Sequence, residues 1–348
     1  MGVVKVLVVD DSALIRILIP RLLAQDQELK VVDTAADGDD ALNKIVALRP
    51  DVVTMDVEMP GLNGLAALKR IMRECPVPVV MLSAHTTVGA RDTMESLSSG
   101  AVDFVAKPAR QADVPLMVRE LSDKIKVAAR VVLRHRETPS SSAPVQASSV
   151  VPPSGRGDIE LVVIGSSTGG PAALQNILPV WPASFKAAVV IVQHIPVGFS
   201  QPLAEHLAQK TRLSVRHARD KDPVCPGQVL VAPAGADLFF RGSSGRYHVQ
   251  VVPVSQPHPR SSFHPSVDGV MASAASVFGP RAMGVILTGM GKDGAEGLAG
   301  IRRAGGKTIA QDKDSSVVYG MPRAAVENGA AQRVVPLSQI GPEVMREL

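Results

Sequence analysis

Two sets of residues in this 348-residue chain have types and spacings suited to chemistry. The first is acidic. Asp10 and Asp11 are adjacent, and Asp56, Ser83 and Lys107 follow at intervals, each just after a short apolar run. Three carboxylates gathered on one edge repel one another unless a cation sits among them. A hard divalent ion that prefers oxygen ligands, Mg²⁺, suits that place. Lys107 could then neutralise one phosphoryl oxygen as a compact charge, and the Ser83 hydroxyl could donate to another. That leaves Asp56 as the nucleophile that takes up phosphate as an acyl phosphate.

The second set is built around a hydroxyl. An apolar run over 161–164 leads into Gly165-Ser166-Ser167-Thr168-Gly169-Gly170-Pro171 and then a helical pattern. A glycine-rich turn between strand and helix often cradles phosphate. Here the dinucleotide fingerprint fails because Ser167 stands where glycine is required, and the P-loop fails because Gly170 is followed by Pro171 rather than lysine. What remains is a serine at a tight bend, Ser166 or Ser167. It needs a base, and the base needs an orienting carboxylate. Of the eight histidines, His194 alone directly follows a strand-like run, 188–193. Asp293 follows the run 284–288 through Gly289-Met290-Gly291-Lys292, ahead of Asp268 and Asp312, which read as a helix-start cap and a turn residue. The glycines beside Met290 would let its backbone N–H approach an oxyanion.

These residues gain meaning from the elements that must hold them. Strand-like runs at 4–9, 30–35, 52–55, 77–82 and 104–106 alternate with helical patterns at 13–24, 39–47 and 66–73. Pro20 should kink the first helix by removing a backbone donor. Further strand candidates lie at 161–164, 188–193, 229–232, 247–252, 284–288 and 307–310, the run 247–252 being a candidate antiparallel excursion. The βα rhythm predicts two α/β units: a flavodoxin-like (βα)5 domain over 1–125 and a doubly wound, mostly parallel domain over 158–348. In such sheets functional residues collect at the carboxyl ends of strands, where both sets fall. Between them, 126–157 is expected to be a linker: a helical pattern at 116–133 runs into it, and 137–157 is rich in Ser, Pro and Gly.

Composition narrows the function classes. Hydrophobic residues make up 45% of the chain, enough for cores, and aromatics only 3%, which argues against stacking on single-stranded nucleic acid. The net charge of +4 hides an asymmetry: residues 1–125 hold 14 Lys+Arg against 18 Asp+Glu, and residues 126–348 hold 23 against 15. No basic recognition helix or zinc module accompanies the basic half, so an acidic domain resting on a basic one accounts for the split better than nucleic acid does. Cys75 and Cys225 stand far apart and read as reduced thiols. The N-terminus enters a strand directly, so no signal peptide is expected, and no run is long enough for membrane insertion.

The acidic set resembles a two-component receiver domain through Asp10-Asp11-Ser12, Asp56-Val57-Glu58-Met59-Pro60-Gly61 and Lys107-Pro108. That resemblance implies phosphorylation at Asp56 and Mg²⁺ held by Asp11, Asp56 and the Glu58 carbonyl, with Asp10 supporting. Lys107–Pro108 is a candidate cis peptide. The serine set resembles the catalytic domain of the chemotaxis protein-glutamate methylesterases through Gly165 to Gly170, Gln193-His194-Ile195-Pro196, Pro265-Ser266-Val267-Asp268 and the run from Leu287 to Gly294. It implies a triad of Ser167, His194 and Asp293, assisted by Thr168 and Met290, with no cofactor for the esterase. Methyl esters of receptor glutamates, and certain receptor glutamines, are the implied substrates. The implied partners are methyl-accepting chemoreceptors and a chemotaxis histidine kinase. The resemblance further implies a cytoplasmic protein at receptor arrays, expected as a monomer, whose receiver inhibits until phosphorylated. A DNA-binding regulator and a dead hydrolase are the rivals. The first lacks a recognition helix, and the second would have lost Ser, His or Asp.

Overall fold

The computed structural model describes residues 2–84, 86–108, 110–131, 159–254 and 263–348. Residues 132–158, which hold the Ser/Pro/Gly-rich part of the expected linker at 137–157 and the end of the helical pattern at 116–133, lie outside the described residues.

The first sheet holds β1 (Val4–Val9), β2 (Leu29–Ala35), β3 (Val52–Asp56), β4 (Val79–Ser83) and β5 (Asp103–Ala106), all parallel, in the order β2-β1-β3-β4-β5. Helices α1 (Ala13–Leu23), α2 (Gly38–Leu48), α3 (Gly64–Glu74), α4 (Thr87–Ser98) and α5 (Val114–Ala128) connect the strands and cover the faces. Every residue of β3 and β4 is buried, which is why their sequences read as unbroken apolar runs rather than alternating ones. Side chains set the helix starts: Asp37 accepts from Asp40 N–H, Asn63 from Ala66 N–H and Thr86 from Gly89 N–H. Each such cap contributes about 1 kcal/mol. Helix α1 runs on through Pro20.

The second sheet has seven parallel strands in the order β14-β13-β12-β6-β7-β9-β8. They are β6 (Leu161–Ser166), β7 (Ala188–Gln193), β8 (Ser214–His217), β9 (Gln228–Val231), β12 (Ala282–Ile286), β13 (Lys307–Gln311) and β14 (Arg333–Val335). The suspected excursion is β11 (Arg246–Pro253), antiparallel to β10 (Ala236–Ser243) in a separate ribbon. The flanking helices are α6 (Gly170–Ile177), α7 (Ser200–Ala208), α8 (Val267–Phe278), α9 (Ala295–Arg303), α10 (Met321–Glu327) and α11 (Leu337–Arg346). From β6 the chain winds outward to β8 and returns on the other side of β6 at β12. The crevice between β6 and β12 is therefore a topological switch point, where open α/β sheets place their ligands. The first sheet has its own switch point between β1 and β3, where Asp10, Asp11 and Asp56 lie.

One expectation fails. Among the described residues the cis peptide is His264–Pro265, and Lys107–Pro108 is not cis. An X–Pro bond favours trans by about 0.5–1 kcal/mol, and Lys107–Pro108 follows that preference.

Candidate functional site

In the first domain, Asp10 and Asp56 are buried and Asp11 is exposed. One carboxylate oxygen from each lies within 4.8 Å of the others. This all-oxygen donor set fits a hard divalent ion. Lys107 Nζ stands 2.8 Å from Asp10 Oδ2 and 2.6 Å from Asp56 Oδ2. Burial pushes the Asp56 carboxyl above its usual range, and Lys107 only partly offsets it. Glu58 adds a backbone N–H to Asp56 Oδ1 at 3.3 Å, while its side chain accepts from Thr86 Oγ1 at 2.6 Å. Ser83 ends β4, the strand paired with the one that ends in Asp56. Its hydroxyl lies 3.3 Å from the Gly89 carbonyl and accepts from Thr93 Oγ1 at 2.7 Å, inside the start of α4. Arg16, which sequence reasoning missed, donates to the carbonyls of Asp10 and Asp11, both at 2.7 Å.

In the second domain, Ser167 follows β6, His194 follows β7, and Asp293 ends the loop after β12. The two candidate serines separate cleanly. Ser166 is fully buried and donates to Gln193 Oε1 at 2.6 Å, whereas Ser167 is half-buried and lines the cleft. The bend is held by Ser167 N–H on the Thr288 carbonyl and Gly170 N–H on the Ser167 carbonyl. Gly169 takes φ of +79°, and a Cβ on Gly289 would sit 2.9 Å from Ser167 Cβ, so both positions require glycine.

His194 is pinned by its N–H on the Ser166 carbonyl and by a 2.8 Å bond between Nε2 and Asp293 Oδ2. Its Nδ1 is buried and has no partner among the described residues. With the carboxylate on Nε2, the ring takes the tautomer that leaves Nδ1 as the acceptor. Asp293 also accepts from Ser266 Oγ at 2.9 Å, Val267 N–H at 2.7 Å and Asp268 N–H at 3.0 Å, at the start of α8. Burial alone would raise its pKa. The bonds from His194 and from these N–H groups outweigh burial and bring it down to about 2. Asp268 reciprocates at the start of α9, where its Oδ1 accepts from Gly294 and Gly297 N–H. Burial and the nearby Asp293 charge push the Asp268 carboxyl up. Asp312 accepts from Ser315 in its own turn. Ser266 and Phe263, whose ring stacks on His194 with centroids 4.0 Å apart, were not found from sequence. The run Pro265-Ser266-Val267-Asp268 contains Ser266 but gave no sign of Phe263.

The cleft over Ser167 has a volume of about 710 Å³ and is lined from both domains. Ser167, His194, Phe263 and Met290 form one wall, and Leu116, Arg119 and Glu120 of α5 form the other. Beside it, Thr168 Oγ1 donates to Asp103 Oδ2 of β5 at 2.5 Å. Phe104 packs on Phe199, and α4 lies against α6 and α7. Thr168, expected to support the oxyanion, thus has its hydroxyl held by the receiver in this arrangement. Met290 is 40% exposed at the cleft rim.

A family model described as CheB methylesterase matches residues 162–344, and one described as response regulator receiver domain matches residues 6–119. The chain is 46% identical to a protein-glutamate methylesterase/protein-glutamine glutaminase of Carboxydothermus hydrogenoformans, covering 98% of each chain. It is 42% identical to one from Pyrococcus abyssi, covering 99% of this chain and 93% of that one. The solved catalytic domain of Thermotoga maritima CheB methylesterase is 38% identical, with a TM-score of 0.52, covering 54% of this chain and 98% of that one.

Proposed function

For a chain that belongs to the CheB methylesterase family and carries a response-regulator receiver domain ahead of its catalytic domain, we propose that Ser167, His194 and Asp293 perform the hydrolysis and that the receiver governs access to them. The activity is that of a protein-glutamate methylesterase and protein-glutamine glutaminase. The observation that carries the triad is the His194 ring: Asp293 holds Nε2, and Nδ1 is buried without a partner among the described residues, while half-buried Ser167 lines the same cleft.

His194 Nδ1 takes the Ser167 proton as Oγ attacks the γ-carbonyl carbon of a methylated receptor glutamate. Asp293, ionised at any working pH, stabilises the imidazolium that forms. The tetrahedral oxyanion is met by the Met290 N–H, and by Thr168 once Asp103 has released it. His194 returns its proton to the leaving methoxide, methanol departs, and a glutamyl ester on Ser167 remains. Water, deprotonated by His194, cleaves that ester and leaves a free glutamate. With glutamine, ammonia leaves instead.

In the receiver, Asp56 is the phosphoacceptor. Asp11, Asp56 and the Glu58 carbonyl, supported by Asp10, would hold Mg²⁺, which would screen the carboxylates from the incoming phosphoryl charge. Lys107 faces the same oxygens. The donor is a chemotaxis histidine kinase, and the substrates are methyl-accepting receptors in cytoplasmic arrays, met by a monomer of this chain. Among the described residues no helix is long and apolar enough to cross a membrane. The test is methanol release from methylated receptor membranes. Ser167→Ala should abolish it with the fold intact, and Ser166→Ala should keep most of it. If Ser166→Ala is the dead variant, the assignment is wrong.

A further inference from the structure

The short segment 263–268 touches both partners of Ser167. From Phe263 a ring lies against one face of the His194 imidazole, centroids 4.0 Å apart and planes 9° apart. From Ser266, Val267 and Asp268 come three donors to Asp293, at 2.9, 2.7 and 3.0 Å. Between these two ends His264 is fastened twice to the start of β10. Its carbonyl accepts from Gly235 N–H at 2.8 Å, and its Nδ1 is 2.9 Å from Asp237 Oδ1.

Consider what each contact leaves free. Asp293 accepts from four donors, the His194 ring included, so its carboxylate is fully bound and cannot turn. Among the described residues the imidazole is bonded at one nitrogen only. A ring held at Nε2 alone can still pivot about the Nε2–Oδ2 line, which would swing Nδ1 away from Ser167. A parallel aromatic face at 4.0 Å blocks that pivot. Phe263 is 45% exposed, so it contributes little to the core.

We infer that residues 263–268 form a positioning strap for the catalytic histidine and aspartate, in which Phe263 fixes the plane of the His194 ring and the His264–Asp237 pair anchors the strap to β10. The inference rests on the triad reading above. Phe263 and His264 are positioning residues: they act through His194 and Asp293. Misplacing a reacting group by about 1 Å can cost about a hundredfold in rate. Loss of the ring should therefore appear in kcat, while the KM for receptor stays in place.

The experiment uses the full-length protein at one fixed concentration of phosphodonor and Mg²⁺, with methanol release from methylated receptor membranes followed to saturation. Phe263→Ala should lower kcat by about tenfold or more, with KM within about twofold. Phe263→Tyr, which keeps the ring, should restore kcat. Phe263→Leu, which keeps bulk without a plane, should not. His264→Ala should lower kcat in the same way, and His264→Asn, which keeps a donor for Asp237, should recover most of it. Unfolding midpoints recorded for every variant separate loss of fold from loss of position. A kcat fall restored by Tyr but not Leu, at unchanged KM and midpoint, supports the strap. Parental kcat in Phe263→Ala, a change confined to KM, or equal rescue by Leu overturns it. Ser167→Ala is run alongside. If that variant stays active the triad reading itself fails, whereas a dead Ser167→Ala beside a fully active Phe263→Ala overturns the strap alone.

Discussion

Asp103→Ala should release the esterase from its receiver without phosphorylation. Asp103 ends its side chain on Thr168 Oγ1, one residue from Ser167, at 2.5 Å. A buried hydrogen bond to a charged acceptor contributes about 1.5–3 kcal/mol, equivalent to roughly 10- to 150-fold in an equilibrium. The other polar links are weaker: Ser98 Oγ and His206 Nε2 lie 2.9 Å apart, a bond between uncharged partners of about 0.5–1.5 kcal/mol. Arg91–Glu205 spans 3.5 Å between side chains 67% and 43% exposed, and such pairs contribute about 0–1 kcal/mol. Within the receiver the substitution removes one acceptor, Asp103 Oδ1, which takes the Phe104 N–H at 2.7 Å. Lys124, which also faces Asp103, keeps Glu120 at 2.7 Å and the Phe104 carbonyl at 2.6 Å, so no buried ammonium is orphaned. The Phe104–Phe199 contact remains, so docking is weakened rather than abolished. Methanol release by unphosphorylated full-length protein should rise about tenfold or more, up to the rate of the phosphodonor-activated parent, and further phosphodonor should add little. Asp103→Asn, which keeps an acceptor, should raise it less. A parental basal rate in Asp103→Ala, with the parental response to phosphodonor, would refute the idea that this contact holds the receiver over the site.

Four further outcomes follow from the same geometry. Asp56→Asn should block uptake of phosphate label from a small donor, and chelating Mg²⁺ should block it in the parent; uptake that ignores either change counts against the acidic pocket. A catalytic fragment starting near Gly157 should act on receptors faster than the unphosphorylated full chain and ignore phosphodonor, and equal rates would rule out inhibition by the receiver. Asp293, lowered from 3.8 to about 2, stabilises the fold by about 2 kcal/mol above pH 4, and that contribution is lost as pH falls through 2. The stability gap between parent and Asp293→Asn, from denaturant melts, should therefore narrow between pH 4 and pH 2, and a constant gap contradicts the depressed pKa. Ser266→Ala removes a donor to Asp293 and the cap of α8, so it should cost about 1 kcal/mol of stability and lower kcat more than KM changes.

The sheets were legible because parallel strands buried on both faces print as short apolar runs, and the polar residue that ends each run marks the functional edge. That rule located Asp56 at the end of β3, His194 after β7 and Ser167 after β6. It failed where strands lose that character. Edge strands β8 and β14, reading Ser-Val-Arg-His and Arg-Val-Val, are partly exposed and carry no apolar run. β10 alternates buried and half-buried residues and ends in three exposed ones, and it carries no valine-rich run like Val249-Gln250-Val251-Val252 of its partner β11, which was noticed. Ser83 was placed by its strand end alone, and direction along a chain cannot say that Thr93 and Gly89 hold its hydroxyl. The Asp103–Thr168 bond joins residues on different domains, and the Phe263 stack belongs to a segment with no periodicity. Contacts of that kind arise from docking of finished elements, which no local pattern encodes.

If Ser167 is the nucleophile, its hydroxyl becomes covalently bonded during turnover. The direct measurement is peptide mass mapping of full-length protein after reaction with a fluorophosphonate, a reagent that traps activated serines, in parent, His194→Ala and Ser167→Ala. The adduct should fall on the peptide carrying Ser167, with fragmentation placing it at 167 and not 166, in step with loss of methanol release. His194→Ala should label far more slowly, and Ser167→Ala not at all. An adduct on Ser166, or equal labelling in His194→Ala, would contradict it.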